Sequence, residues 1–443
     1  MRFADLLVKE VNARKDEILS VILEPEERCE FYRELLSKRW LPLPPEKTPA
    51  ENRIYAVDSS DGVIELAGGG VIHVVRAAAL SNSGEAIRRL ELNAFYPPSD
   101  EKLTEYRRLA REYLEHLAAL DAAKNLGQGG FILIDGSIFG RIIHVFRTLD
   151  IPGKEDFMVT YVETLYDLLD TCVKKSITLV GVAKDSRSTL LRESLLAELL
   201  LEKTRNYDAE LRAQIMAILR DIRRFPRQAS RAVREIAGKI GEDVRTILQE
   251  LLDNVPDYKI IMASGMEPGY THPLKLELRN VASGFVEILF TPSRRGELAR
   301  TFTASLPQIK TGASIEEAVY RALEHMAAYP AVAALYVKFA ENDIPLRVDI
   351  VHPDVERWSL ERGDLGGRYV RFASGGWEDV VHAVLGLLNG LYAGLKNYNV
   401  LLTSVDKYVK MTQRVKNLYK VKIESFLRTL IQQSRGARRV SFP

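Results

Sequence analysis

The sequence predicts an α/β protein in which helices flank a mixed β-sheet. Two observations carry this prediction. From Arg53 to Ala183 the hydrophobic period changes repeatedly, giving the order strand-strand-strand-helix-strand-helix-strand. Two of these strands, within residues 54–60 and 131–137, run directly into an Asp that is followed by small polar residues. The expected core is therefore a sheet that carries acidic side chains at the ends of two strands.

Length and composition are those of a soluble protein with enough residues for two or three domains. The chain has 443 residues, of which 46% are hydrophobic and 28% are charged, and its net charge is +2. No stretch reaches the ~18 apolar residues of a membrane-spanning helix, and the mixed charge of residues 1–16 does not resemble a signal peptide. We expect a cytoplasmic protein without membrane contact. Cys29 and Cys172 lie far apart without zinc-like spacing, which argues against a disulfide framework and a structural zinc site.

The first two segments of the chain are expected to be a helical arm and the beginning of the core. Residues 1–50 contain two amphipathic helical patterns and include the Pro-rich run 41–45, which predicts an N-terminal arm. Residues 51–190 are expected to open with a three-stranded antiparallel meander, because alternating runs are separated by turn residues. A long helix that opens at Ser99, the second Asp strand, another helix and a further strand complete this first part of the core.

The remaining two segments are expected to be an insertion and the second part of the core. Residues 191–330 are helical at first and then contain short alternating runs between Tyr258 and Ser305, which predicts a small β element. Residues 331–443 are expected to add two core strands and to end in two helices, 378–395 and 405–433. From Lys407 onwards the chain has ten Lys or Arg residues against one Glu, so its last helix is strongly basic.

Two carboxylates are expected to lie side by side at the rim of the sheet. Asp58 follows the apolar run 54–57, and Asp135 follows the apolar run 131–134. Hard cations prefer carboxylate oxygens, and two ions about 3.5–4 Å apart clamp the attacking and leaving oxygens of a phosphodiester. Asp followed by Ser or Gly is also ordinary turn chemistry. Because both strings occur in one chain with a Glu-bearing helix between them, the pattern favours a divalent-metal site.

Two glutamates on the predicted long helix are candidates for a third ligand. Glu112 and Glu115 are three residues apart, so they are neighbours on one face of the helix. One of them could reach the Asp pair. Both could instead pair with Arg108 and Arg111 on a solvated face. The sequence leaves these alternatives open.

A further candidate pair lies near the C-terminus. Residues 398–408 are expected to start a helix with Asp406 in its first turn, where the helix dipole favours an acidic side chain. The same position could supply another metal ligand. Tyr398 could orient a phosphate or a water through its hydroxyl group. Spacing alone decides neither role.

Basic side chains in three regions are candidates for binding a nucleic-acid strand. They are Lys184 and Arg187 after the strand at 177–183, Arg223 and Arg227 in the helical insertion, and Lys407 and Lys410 near the C-terminus. Such side chains bind backbone phosphates, and an aromatic residue such as Tyr408 would stack on bases. The Arg-rich stretch fits a solvated helix face equally well, and Asp185 or Ser186 fits a simple helix N-cap.

Taken together and in this order, these motifs resemble the NurA family of prokaryotic nucleases. The resemblance spans roughly Arg53 to Thr412 and rests on Ala56–Ser60, the Glu-bearing helix, Ile134–Ser137, Gly181–Ser186 and the segment from Tyr398 to Asp406. It implies an RNase H-like core and Mn²⁺-dependent 5′ to 3′ exonuclease and single-strand endonuclease action on DNA. It also implies a homodimer that works with a hexameric HerA-type ATPase in the end resection of double-strand breaks, a step of DNA repair by homologous recombination.

The resemblance also suggests roles for the acidic residues. It implies that Asp58 and Asp135 are the strand-borne metal ligands and that Glu112 or Glu115 is the helix-borne ligand. These side chains, together with Asp406, would hold two Mn²⁺ ions, with Mg²⁺ as a second possible metal.

One position departs from the family pattern. Tyr398 matches the tyrosine of the closing motif, but Asp406 stands where the family usually has a histidine. A carboxylate is a harder ligand than imidazole and suits Mn²⁺ or Mg²⁺. It cannot donate a proton at neutral pH as an imidazolium can. We therefore expect Asp406 to act as a ligand and not as an acid.

Two other functions are compatible with the sequence. An actin-like or sugar-kinase-type ATPase also uses Asp on strand turns to hold Mg-phosphate, but it would need Gly-rich phosphate loops, which neither Asp string has. A non-catalytic DNA clamp or translocase adaptor would keep the fold and lose the activity, and the carboxylate at position 406 is its best support. Metal-dependent cleavage and nucleotide binding distinguish the three.

Overall fold

The computed structural model describes seven stretches of the chain, and one large β-sheet runs through them. The described stretches are residues 2–47, 53–144, 146–184, 186–281, 283–304, 314–361 and 370–436. The strands are β1 (Trp40–Leu41), β2 (Ile54–Glu65), β3 (Val71–Ser81), β4 (Ala86–Phe95), β5 (Phe131–Asp135), β6 (Thr178–Ala183), β7 (Gly269–Thr271), β8 (Leu274–Leu276), β9 (Val332–Lys338), β10 (Leu346–Val351), β11 (Ser359–Leu360) and β12 (Arg371–Gly375).

The centre of the sheet has the mixed parallel and antiparallel pairing expected of an RNase H-like core. Five neighbouring strands, in the order β4-β3-β2-β5-β6, combine an antiparallel meander with two parallel strands. This order confirms the predicted fold class. Beyond β6 the sheet continues through β10, β9, β8, β12 and β11, all paired antiparallel. The short strand β7 pairs with β9 and with β1, which joins the N-terminal arm to the same sheet.

Helices cover both faces of this sheet. In chain order they are α1 (Phe3–Ala13), α2 (Lys15–Ile22), α3 (Glu26–Ser37), α4 (Asp100–Leu126), α5 (Ile138–Ile142), α6 (Phe157–Lys174), α7 (Leu190–Lys203), α8 (Ala209–Asp221), α9 (Pro226–Ile236), α10 (Glu242–Leu252), α11 (Asp257–Ala263), α12 (Gly284–Leu289), α13 (Pro292–Ala304), α14 (Ile315–Ala327), α15 (Glu378–Gly390), α16 (Val400–Val409) and α17 (Gln413–Leu427). Buried side chains of α4, α6 and α7 share one apolar core, and those of α15 and α16 share a second.

The parallel strands lie in the most buried part of the sheet. Ile132, Leu133 and Ile134 of β5 are each no more than 1% exposed, and every residue of β6 is buried. A strand that is covered by helices on both faces must be apolar on both faces, so it appears in the sequence as a continuous hydrophobic run. Burying each such side chain contributes about 1.5–3 kcal/mol. The end of β5, where Asp135 lies, is therefore held in a well-packed framework.

The N-terminal arm contains three helices, one of which packs closely on the rest of the protein. Tyr32, Leu35 and Leu36 of α3 are buried, and α3 contacts α11. Arg28 of the same helix forms an ion pair with Glu250 at 2.8 Å. Within the described residues, α1 buries no side chain. None of the described helices combines the length and the apolarity needed to cross a membrane.

The prediction of short strands between residues 258 and 305 is largely wrong. The chain there forms α11, α12 and α13 together with the short strands β7 and β8, which belong to the main sheet. Ile260 and Ile261 of α11, and Val286 and Leu289 of α12, are buried. Short apolar runs with β-branched residues can form either a helix or a strand. Here these side chains pack in the apolar core, and this packing favours helices.

The C-terminal helix is also different from the expectation, because it is two helices and begins earlier. The Asn399 side chain accepts hydrogen bonds from the Leu401 and Leu402 amides and so caps α16 five residues before the predicted start at 405. The Arg76 guanidinium donates to the carbonyl oxygens of Val409 and Lys410, both at 2.7 Å. A continuing helix would need these carbonyl oxygens for its own hydrogen bonds. The helix is therefore interrupted between α16 and α17.

Candidate active site

The two strand-borne carboxylates are brought together by the pairing of β2 with β5. These strands run parallel, and their pairing ends at Val57 and Ile134. Asp58 and Asp135 are the next residues on the two strands. Asp135 ends its strand as predicted, but Asp58 lies within β2, which continues to Glu65. The reason is that β2 stays paired with β3 after β5 has ended.

A cavity of about 440 Å³ opens beside these two carboxylates. Its walls come from β2, the turn after β5, α4 and the region of α5, and they include Asp58, Asp135, Glu112, Glu115 and His144. Four carboxylates from three elements therefore face one space. This is the largest concentration of the predicted site residues that the described part of the chain contains.

Glu115 is the glutamate that belongs directly to the Asp pair. It is buried, at 6% exposure, and it accepts hydrogen bonds from the Ser59 hydroxyl and from the Arg141 guanidinium. Burial raises the pKa of Glu115, although the charge of Arg141 opposes this rise. Glu115 in turn raises the pKa of Asp58. The helix-borne carboxylate next to Asp58 is therefore Glu115.

Glu112 lies in the same cavity with a different set of partners. Its carboxylate accepts hydrogen bonds from Tyr161 at 2.7 Å and Arg108 at 3.1 Å, and it lies 2.9 Å from Nε2 of His144. Burial alone would raise the pKa of Glu112, but the hydrogen bond to His144 and the charge of Arg141 hold it well below its usual range. Glu112 is thus an ionised carboxylate, and its hydrogen bond from Tyr161 joins α4 to α6.

Tyr398 and Asp406 approach the same carboxylates from α16 and the loop before it. Burial, and then the charge of Asp135, raise the pKa of Tyr398 well above its usual range. Asp406 is exposed and is the seventh residue of α16, so the prediction that it lies in the first turn is wrong, because Asn399 starts the helix earlier. Its charge nevertheless contributes to the raised pKa of Asp58.

The surroundings of Asp58 disfavour its ionised form. Burial, followed by the nearby charge of Glu115 and by Asp135 and Asp406, raises the pKa of Asp58 to about 7. The Ser59 amide donates to Asp58 at 2.7 Å and partly offsets this effect. A carboxyl group with such a pKa is half neutral near pH 7, because its ionised form is poorly stabilised by its surroundings.

The donor set fits a hard divalent cation in its chemistry. Within the described stretches, no three His, Cys, Asp or Glu side chains converge closely enough to form a ready metal site. Lys184 lies 2.8 Å from Asp135, and Arg141 pairs with Glu115. The donors are nonetheless all carboxylate oxygens, which Mn²⁺ and Mg²⁺ prefer. Burial and then the charge of Glu115 raise the pKa of Asp58, and a bound cation would stabilise the ionised form.

Asp349 supports the turn after Asp135 and was not predicted from the sequence. It lies on β10 with 0% exposure, and its carboxylate accepts hydrogen bonds from the Phe139 amide at 2.9 Å and from the Ser137 hydroxyl. Arg347 donates to its other oxygen at 2.8 Å. The sequence feature that could have identified it is the pair of charged residues Arg347 and Asp349 in an otherwise apolar run. A charged pair in a buried strand needs partners, and here one partner is the turn beside the site.

Gly181 also fixes this turn, and its replacement gives a direct test. It lies on β6 opposite Ile134, and a Cβ at position 181 would lie 2.6 Å from the Gly136 carbonyl oxygen and 2.9 Å from Ile138 Cγ1. The nearest atom belongs to the backbone, so the turn that follows Asp135 must move. We expect Gly181→Ala to lower the free energy of unfolding by about 1–3 kcal/mol.

Thermal melting checks this expectation, with Gly68→Ala as the matched control. A Cβ at Gly68 has no atom within 4 Å, and its backbone does not require glycine. The control variant should melt as the wild type does. If Gly181→Ala also melted as the wild type does, the turn would not be fixed by this close approach.

The predicted substrate-binding residues do not all lie at this site. Lys184 lies with the carboxylates, and its ammonium group is also 4.5 Å from the centre of the Tyr398 ring. Arg223 instead forms an ion pair with Glu193 and donates a hydrogen bond to the Thr189 hydroxyl at 2.6 Å. The remaining candidates are exposed side chains: Arg187, Arg227, Lys407 and Lys410. Tyr408 is partly covered by Arg88, whose guanidinium lies 5.4 Å from its ring centre.

One protein-family model matches most of this chain. The model, described as NurA domain, matches residues 52–410. A search of curated proteins finds no match. The matched residues include both carboxylate strands, α4 and α16.

Solved structures resemble the whole chain. The NurA nuclease from Sulfolobus solfataricus superposes with a TM-score of 0.52 at 13% sequence identity, over 96% of this chain and 97% of that chain. A second NurA structure gives 0.44 at 18% identity, over 95% and 97%. NurA bound to dAMP and manganese gives 0.36 at 16% identity, over 94% of each chain. The first of these comparisons shows a shared fold.

Proposed function

We propose, because this chain belongs to the NurA family, that it is a metal-dependent DNA nuclease that hydrolyses phosphodiester bonds. The family model covers the elements that carry the candidate site, residues 52–410. The observation that carries the proposal is that Asp58, Glu115 and Asp135 line one cavity. Three carboxylates at one cavity are a common basis for holding divalent metal ions beside a phosphate.

Asp58, Asp135 and Glu115 are the residues that would hold the metal, with Asp406 as a further ligand. When bound, Mn²⁺ or Mg²⁺ would activate water and offset the negative charge that develops on the phosphodiester oxygens. The chain's own residues fix the donors in place. The Ser59 and Arg141 hydrogen bonds orient Glu115, and the turn held by Asp349 positions Asp135.

Lys184 and Tyr398 would act on the substrate. The Lys184 ammonium group donates to Asp135 at 2.8 Å and lies 4.5 Å from the centre of the Tyr398 ring, so it is a cation at the site that a phosphate oxygen could contact. Tyr398 keeps its proton at all ordinary pH values, because its pKa is raised by burial and by Asp135. Its hydroxyl can therefore donate to a phosphate or to a water. Both roles concern binding and orientation.

The family resemblance supplies the finer parts of the proposal. They are two Mn²⁺ ions with Mg²⁺ as the alternative, 5′ to 3′ exonuclease and single-strand endonuclease action, a homodimer, a HerA-type ATPase partner, and end resection in the cytoplasm. We also propose a division of the chain into an arm (1–50), a core in two parts (51–190 and 331–443) and an insertion (191–330). The direct pairing of β6, before the insertion, with β10, after it, supports this division, and β7 and β8 of the insertion join the same sheet.

Metal removal tests the proposed activity. We expect the purified protein to cleave end-labelled single-stranded DNA in Mn²⁺ and to stop when EDTA is in excess, because the acidic donors need a cation to engage a phosphate. The measurement is the rate of product formation on a denaturing gel in Mn²⁺, Mg²⁺ or EDTA.

Two outcomes would favour the other functions. Binding of DNA without cleavage in either metal would indicate a non-catalytic clamp or adaptor. Saturable binding of ATP in Mg²⁺, with no effect on DNA, would indicate a kinase-like ATPase. Either result would overturn the proposed nuclease.

A further inference from the structure

Arg108 and Arg111 of α4 form a wall between two cavities. Both side chains line the 440 Å³ cavity of the candidate site and also a neighbouring cavity of about 690 Å³. They are three residues apart, so they project from the same side of the helix. Glu112 and Glu115 follow on the same turns. The second cavity is therefore reached from the carboxylates by passing these two guanidinium groups.

Arg111 is incompletely neutralised by its neighbours. Among the residues that the structure describes, its ion-pair partner is Asp61 at 3.7 Å. Asp61 is already bound by Arg107 at 2.6 Å and by His73 at 3.0 Å. The Arg111 side chain is 44% exposed. Since a guanidinium has five N–H donors, most of those of Arg111 are available to an anion in the cavity.

Arg108 has a similar arrangement. Its Nη1 atom donates to Glu112 at 3.1 Å, and the side chain is 42% exposed. This contact fixes one edge of the guanidinium. The planar fork that remains matches two oxygens of a phosphate.

The second cavity is also lined by acidic side chains. Asp100, Glu101 and Glu105 of the first turns of α4 line it, and so does Asp61, which pairs with Arg107 and Arg111. Carboxylates repel a phosphate, so the favourable position for an anion is beside Arg108 and Arg111. Carboxylates on the other side, in the candidate site, repel phosphates as well. A strand that reaches Asp58 and Asp135 therefore needs cations beside them.

We infer that Arg108 and Arg111 bind backbone phosphates of the substrate strand next to the cleaved bond, and that the second cavity receives the adjoining nucleotide. This inference rests on the proposed function, since it takes the strand to be cut at Asp58 and Asp135. It assigns substrate contact to α4 itself, the helix that also carries Glu115. Basic residues elsewhere in the chain then hold more distant parts of the strand.

The salt dependence of binding tests the inference without cleavage. Fluorescence anisotropy of a labelled single-stranded oligonucleotide in EDTA gives the binding constant over a series of NaCl concentrations. Each lost phosphate contact should reduce the slope of log K against log[salt] by about 0.7. We expect this change for Arg108→Gln and for Arg111→Gln, with binding about tenfold weaker at fixed salt because a charged hydrogen bond is lost.

Arg89→Gln is the matched control, and Arg111→Lys separates charge from shape. Arg89 is also 44% exposed and pairs with Asp121 at 2.5 Å, and it lines neither cavity. Its replacement should leave the slope and the affinity unchanged. Arg111→Lys should keep the slope and lose affinity, because a lysine keeps the charge but has no planar fork.

A wild-type slope and affinity in both glutamine variants would overturn the inference. Melting temperatures equal to that of the wild type would show that the variants fold. The proposed function is tested separately by cleavage in Mn²⁺. If the wild type failed to cleave but the slopes changed, the nuclease proposal would fail while the phosphate contacts remained.

Discussion

Replacing Asp58 with asparagine is expected to reduce DNA cleavage more than ~100-fold, because substitutions of outer-shell partners already cost 10–100-fold and a ligand should cost more. Asp135→Asn should have a similar effect. The measurement is a single-turnover rate on end-labelled single-stranded DNA in Mn²⁺, with enzyme in excess. Both variants should still bind DNA in EDTA, since neither removes a cation.

The stability of the Asp58 variant provides a second readout. The raised pKa of Asp58 shows that its ionised form is disfavoured in the folded protein, so a neutral asparagine avoids burying a charge and also relieves repulsion from Glu115 and Asp135. Its melting temperature should equal or exceed that of the wild type. Asp243→Asn is the control, because Asp243 is 67% exposed and pairs with Lys203. A cleavage rate within about threefold of the wild type for Asp58→Asn would exclude a ligand role.

Breaking the buried pair of Arg141 and Glu115 is expected to have the largest effect on stability. The two side chains are 7% and 8% exposed, and Arg141 also donates to the Asp135 carbonyl at 3.2 Å. Arg141→Met leaves Glu115 buried without its partner, which costs about 3–5 kcal/mol. The measurement is the midpoint of urea unfolding, followed by circular dichroism.

The double variant distinguishes this cause from a general packing defect. In Arg141→Met/Glu115→Leu no unpaired charge remains, and a buried ion pair replaced by apolar side chains is often neutral in stability. The double variant should therefore regain most of the lost stability. It should not regain cleavage, because Glu115 is a proposed ligand. A double variant as unstable as the single one would show that the pair acts through packing alone.

Much of the core could be predicted because local sequence and tertiary position agree there. The run that ends at Asp135 is apolar throughout, since helices cover both faces of β5, and β3 of the antiparallel meander is likewise buried along almost its whole length. The adjacency of Asp58 and Asp135 follows from two parallel strands of this kind. Helices α11 and α12 were missed because their short apolar runs carry no period long enough to distinguish a helix from a strand.

The parts of the site that escaped prediction depend on distant segments. Glu112 and Glu115 occupy the same helix face, and their separation into two roles comes from Tyr161 and His144 on one side and Arg141 on the other. No local pattern contains that information. Asp349 likewise acquires its role only because β10 lies beside β6.

The position of β10 in the sheet has a consequence for the order of folding. All the helices from α7 to α14 separate β10 from its neighbour β6 along the chain. During synthesis, β6 is therefore an open edge for a long time, and open edges invite aggregation. Asp58 and Asp135 are synthesised early. The turn after Asp135 gains its hydrogen bonds to Asp349 only when β10 pairs with β6. The nascent chain should thus leave this edge unpaired and the turn after Asp135 unsupported until β10 has been made.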